Sequence, residues 1–129
     1  MQKVLVSLVA AVVMAVGAHN ASAEIEIVVA PSVVSLDSQG QLVTVHTNLP
    51  YSQVIGASVL LEDVEIDWWK ADNRGNFVAK FVLDDVKDLV ERILDPRNSG
   101  EVELEMKGTT VGGEPFFGTD TIRVVAPKR

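Results

Sequence analysis

Acid–base and nucleophile-activating chemistry near neutral pH falls most often to histidine, and this chain has two, His19 and His46. His19 sits in an N-terminal export segment described below, which leaves His46. The run Gln41 to Leu49 alternates, with Val43, Val45, Thr47 and Leu49 inward, so His46 points outward with Thr44 and Asn48. A Ser-His-Asp or Cys-His system needs a histidine held in a pocket, and a histidine-based zinc site fails on the same count. The chain has no cysteine. It therefore reads as a non-enzyme: no catalytic residue is nominated and no cofactor is implied.

Carboxylates are plentiful, 18 Asp and Glu against 11 Lys and Arg, for a formal charge of −7. Glycosidase chemistry needs two carboxyl groups facing each other across a cleft with unlike pKa values. Glu101, Glu103 and Glu105 instead share one exposed strand face, as solvated decoration does. A calcium loop wants oxygen ligands at alternate positions and a glycine at the bend. Asp72, Asn73 and Asn76 around Gly75 are candidates for one, but Arg74 puts a cation where a ligand belongs, so a plain hairpin turn is expected. The acidic balance argues against nucleic acid and anionic membrane as partners, which need a basic face.

Aromatics supply the other candidates. Alternation through Val64, Ile66 and Trp68 sends Trp68 inward and Trp69 to the opposite face. Trp69, with Tyr51, could stack on a sugar ring or anchor a protein partner, although burial under the helix or a loop is the commoner fate of so large a side chain.

The elements that must carry these residues are mostly strands. Glu101 to Lys107 alternates charged and apolar residues, and Phe117 to Val124 alternates again after Gly112-Gly113-Glu114-Pro115, which predicts a hairpin with one wet face. Placing Val102 opposite Val124 and Leu104 opposite Ile122 pairs Glu103 with Arg123 and sets Asp120 inward, opposite Met106. A lone carboxylate there is expected at the rim, accepting backbone N–H bonds. Further strands are read at Glu24 to Ala30, Val34 to Leu36, Gln41 to Leu49, Ser58 to Leu61, Val64 to Trp68 and Phe77 to Leu83, with a turn at Asp37 to Gly40. Between Asp84 and Leu94 the rhythm changes: Val86, Leu89, Val90, Ile93 and Leu94 form a helical stripe, Asp84 or Asp85 can cap it, and Asp95-Pro96 ends it. This is a mainly β chain, an antiparallel β-sandwich of about seven short strands with one helix, 84–94.

Residues 1–23 read as a cleaved signal peptide: a Lys3 start, an apolar run Val4 to Ala18, and Ala21-Ser22-Ala23 as the cleavage site. Residues 24–129 then form one domain, periplasmic or extracellular, with no membrane insertion after cleavage. Ile27-Val28-Val29-Ala30-Pro31 through Leu36, Gly40 and Val43-Thr44-Val45, and the ending Gly113 to Val124, resemble the bacterial immunoglobulin-like modules of secreted and cell-surface proteins. The resemblance implies an immunoglobulin-like sandwich acting as a spacer or interaction module. Its partner would be an envelope or extracellular protein, or alternatively a carbohydrate held by exposed aromatics.

Overall fold

A computed structural model describes residues 22–37, 42–97 and 99–126. The expected signal peptide lies outside the described residues up to position 21, as does most of the Asp37 to Gly40 turn. The elements in chain order are β1 (Ala23–Glu24), β2 (Ile27–Ala30), β3 (Val33–Ser35), β4 (Leu42–Pro50), β5 (Leu60–Leu61), β6 (Val64–Glu65), β7 (Trp68–Ala71), β8 (Asn76–Val82), α1 (Leu83–Leu94), β9 (Gly100–Thr109) and β10 (Pro115–Val125). They form two mainly antiparallel sheets packed as a sandwich. One sheet runs β2-β4-β8-β7; the other runs β1-β10-β9-β5-β6, with β3 also on β10. Among the described residues only β1 and β3 pair in parallel, both with β10.

Apolar side chains at every second position force this arrangement, because each sheet has one face that must leave water. Val43, Val45, Phe77, Ala79 and Phe81 from one sheet meet Leu61, Val102, Leu104, Met106, Phe116 and Ile122 from the other, each at most 2% exposed. Helix α1 packs against β8 and β9, the strands it connects, and plugs one end with Leu83, Val86, Leu89, Val90 and Leu94. Two details of the predicted helix change. Ile93 is 44% exposed, and no side chain caps the N-terminus: Val82 holds that position, with Asp84 and Asp85 in the first turn favouring the dipole.

The hairpin faces are as the alternation predicts, but the register is shifted by two residues. Val102 lies opposite Ile122, Leu104 opposite Asp120, and Arg123 pairs with Glu101 rather than Glu103. An even shift leaves every side chain on its own face, so hydrophobic pattern alone does not forbid it. Asp120 does accept backbone N–H bonds as expected, from Val29 at 2.8 Å and Thr121 at 2.9 Å. Val29 belongs to the other sheet, so this carboxylate laces the two sheets together.

The first predicted strand, Glu24 to Ala30, is split. β1 pairs with Phe116 and Phe117, β2 crosses to pair with β4, and β3 returns to Arg123 to Val125. Val64 to Trp68 is likewise split, with β6 in one sheet and β7 in the other. Within β4 the ladder breaks after His46, and Thr47 repairs it: its Oγ1 donates to the Phe77 carbonyl at 2.7 Å and accepts from the Leu49 N–H at 3.2 Å.

Candidate functional site

The crossing at Ile66-Asp67 decides where the tryptophans go. The Asp67 N–H bonds to the Lys80 carbonyl at 2.8 Å, and β7 then pairs with β8 so that Trp68 stands opposite Lys80 and Trp69 opposite Ala79. Ala79 is an inward residue, so the orientation is the reverse of the sequence expectation: Trp68 is on the outer face and Trp69 on the inner one. The alternation begun in β6 does not carry through a change of sheet. Lys70, two residues after Trp68, is the signal in the sequence that points to this, since an inward Trp68 would drag a lysine into the core with it.

Trp69 closes the open edge of the sandwich at 36% exposure. Its indole lies flat on Gly56, where a Cβ would overlap the ring, so glycine is needed there for close approach. Tyr51 is 40% exposed and stacks on Phe77, with ring centroids 6.4 Å apart and an interplanar angle of 29°. Its N–H donates to the Gly75 carbonyl at 2.8 Å. Trp69 and Tyr51 therefore rest on different supports, and among the described residues no ring contact joins them.

The Asp72 to Asn76 turn closes the β7–β8 hairpin. Asp72 Oδ1 accepts from the Arg74 and Asn76 N–H groups at 2.8 and 2.9 Å, and Gly75 takes a φ of 81°. These backbone bonds, that to Asn76 first, hold the Asp72 carboxyl below the usual carboxylate range. One oxygen of the leading calcium-type ligand is thus committed to shaping its own turn. Among the described residues no group of three or more His, Cys, Asp or Glu gathers at metal-binding distance.

What the fold does assemble is the outer face of the β2-β4-β8-β7 sheet. Residues directly opposite one another share a face, which gives two parallel rows: Ala30, Thr44, Lys80 and Trp68, then Val28, His46, Val78 and Lys70. Trp68 is 42% exposed, and Lys80 Nζ lies 5.6 Å from its ring centroid while donating to Thr44 Oγ1 at 2.9 Å. Val78 forms the floor of a depression of about 360 Å³ that His46, Lys70 and Lys80 also line. Beside it, Arg74, Asn48 and His46 border a second depression of about 460 Å³. Both are shallow and open. His46 thus lies on an exposed sheet face, as expected, among hydrogen-bonding and cationic groups.

The other sheet carries mostly the opposite sign outward, with Glu101, Glu103 and Glu105 along β9 and Glu65 on β6, beside Lys107 and Arg123. The helix carries the charged contacts Lys87 to Asp84 at 3.9 Å and Arg92 to Asp63 at 3.3 Å, the second of which lowers the Asp63 pKa through the side-chain hydrogen bond. Arg92 and Asp63 are well exposed, so water and salt screen the pair. Comparison with protein-family models, with curated proteins and with solved structures finds no match to this chain.

Proposed function

We propose that this chain is an exported, non-catalytic immunoglobulin-like module that works by contact with an envelope or extracellular protein. Strand order supports the fold assignment. The sheet β2-β4-β8-β7 facing β10-β9-β5 follows the order A-B-E-D against G-F-C of an immunoglobulin sandwich, with α1 in the E–F connection. The non-catalytic reading draws support from His46, which stands on an open face, and from Glu101, Glu103 and Glu105, which share one outward strand face.

The observation that carries the proposal is Trp68, a large aromatic held outward on a flat sheet and flanked by Lys70 and Lys80. Tryptophan with a basic neighbour is the composition of an interface anchor. The alternative ligand, a carbohydrate, would use Trp68 in preference to Trp69, whose indole is seated on Gly56.

The test is a photo-crosslinking side chain placed at Val28, 59% exposed on the same face as Trp68, and separately at Glu103 on the opposite face, in the cell that makes the protein. The expected result is a discrete adduct with an envelope or extracellular protein from position 28, lost on Trp68→Ala, and none from 103. Identical patterns from both positions, or adducts from neither, would remove the proposal.

A further inference from the structure

We infer that the outer face of the β2-β4-β8-β7 sheet docks an acidic segment of a partner protein, its carboxylates meeting Lys70 and Lys80 and an apolar side chain meeting Trp68. The inference rests on the reading of that face as the working surface.

Charge is the first argument. The chain as a whole is formally −7. Yet Lys70 and Lys80 stand on this one sheet face, with Arg74 in the turn beside it, and among the described residues none of them is in an ion pair with a carboxylate. Asp72, which lines both depressions, has an oxygen turned back onto the Arg74 and Asn76 N–H groups, and the Arg74 charge acts on its carboxyl as well. Glu26 lines the depression beside Arg74, away from Lys70 and Lys80. In a molecule with a surplus of carboxylates, Lys70 and Lys80, neither of them in an ion pair among the described residues, leave a positive field available to an external anion.

Preorganisation is the second. Lys80 is held by Thr44 Oγ1 and by the Trp68 ring, so its ammonium is already placed and less side-chain entropy is lost on binding. Trp68 is fixed by the same contact, as an anchor must be.

The apolar residues decide among anionic partners. Val28 is 59% exposed and Leu42 38%, and both lie on this outer face. Aliphatic surface of that kind suits a Leu or Val side chain and gives an acidic sugar chain, dense in hydroxyls, little to contact. A second copy of this chain offers carboxylates at Glu101, Glu103 and Glu105, where Val102, Leu104 and Met106 are at most 2% exposed, or at Asp84, Asp85, Asp88 and Glu91 on α1, where Ile93 is one exposed apolar side chain against the spread of Trp68, Val28 and Leu42. An acidic polypeptide with apolar residues spaced along it supplies both.

The test uses fluorescence anisotropy with a short labelled peptide rich in glutamate, leucine at every third position, and the same peptide with glutamine for glutamate. Saturable, salt-sensitive binding of the acidic peptide alone is expected. The Lys70→Glu/Lys80→Glu double variant and Trp68→Ala should each weaken it by about tenfold or more, while Arg123→Glu, on the opposite sheet, leaves it unchanged. Circular dichroism and melting establish that each variant is folded. Binding that survives the Lys70 and Lys80 reversals overturns the inference. So does binding of polygalacturonate in place of the peptide, or self-association through this face in sedimentation. Absence of peptide binding with the position-28 adduct intact sinks this inference alone; loss of the adduct as well takes the underlying reading with it.

Discussion

Replacing Asp120 should loosen the sandwich at its seam by an amount that the geometry allows to be worked out. The edge of β10 is covered at Phe116 and Phe117 by β1 and at Arg123 to Val125 by β3, but between them the chain has crossed to the other sheet as β2. Into that gap Asp120 projects, Oδ2 accepting from Val29 at 2.8 Å and Oδ1 from Thr121 at 2.9 Å. Thr121 is exposed, so its N–H can turn to water. Val29 is 1% exposed, so its N–H cannot. A hydrogen bond to a charged group contributes about 1.5–3 kcal/mol, and an orphaned buried donor costs a similar amount. Asp120→Ala should therefore lose about 2 kcal/mol, and Asp120→Asn, which keeps one acceptor oxygen, about half of that. For a domain of this size the alanine variant should melt about 10 °C lower. Urea unfolding measures the loss, and amide exchange locates it: protection of the Val29 N–H should fall by about thirtyfold. A loss below about 0.5 kcal/mol with Val29 protection unchanged would show that the carboxylate does not join the sheets.

Three further outcomes follow from single contacts. Thr47→Val keeps the branched shape but strips partners from the Phe77 carbonyl and the Leu49 N–H, so urea unfolding should show a loss of about 1–3 kcal/mol; a neutral result would mean that the ladder break is repaired in another way. Gly56→Ala puts a methyl group into the Trp69 indole, which must move; a loss of about 1–3 kcal/mol with a shift in tryptophan emission is expected, and an unchanged spectrum contradicts the seating. Asp72 has its folded-state pKa depressed, chiefly by the Asn76 N–H, so its contribution to stability is complete above the unfolded value of about 3.9 and fades as pH falls through the lower folded value. Asp72→Asn keeps a side-chain acceptor but removes that titration, so its urea midpoint should change less than the parent's between about pH 5 and pH 2; parallel curves would refute the assignment.

Much of the fold was legible because it is written in side-chain period. Buried Val43, Val45 and Thr47 in β4, buried Val102, Leu104 and Met106 in β9, and a helix over nearly the predicted span all follow from where apolar residues recur. What period cannot encode is a shift by an even number. The hairpin partner of Leu104 is Asp120 rather than Ile122, and both choices bury the same side chains. Loop length sets the register here: Thr109 pairs with Pro115, leaving Thr110 to Glu114 as the connection, and a Gly/Pro-rich composition announces a turn without counting its residues.

The outer face of the four-stranded sheet was hidden for a different physical reason. Its members come from strands that meet only through long-range pairing: Val28 beside His46, His46 beside Val78, Val78 beside Lys70. Each strand, read alone, assigns only an inside and an outside, and the assignment for β7 went the wrong way because a strand that changes sheet restarts its alternation. The local correction was still within reach. Trp68 and Lys70 are two apart and must share a face, and the cost of burying an unpaired ammonium far exceeds the cost of leaving an indole 42% exposed. The lysine therefore fixes the tryptophan outward, and the tryptophan's ring with Thr44 in turn fixes Lys80 beside it. That mutual constraint places an aromatic and two cations together on the surface of an acidic protein, and it arises from the pleat of one short edge strand rather than from any loop or cleft.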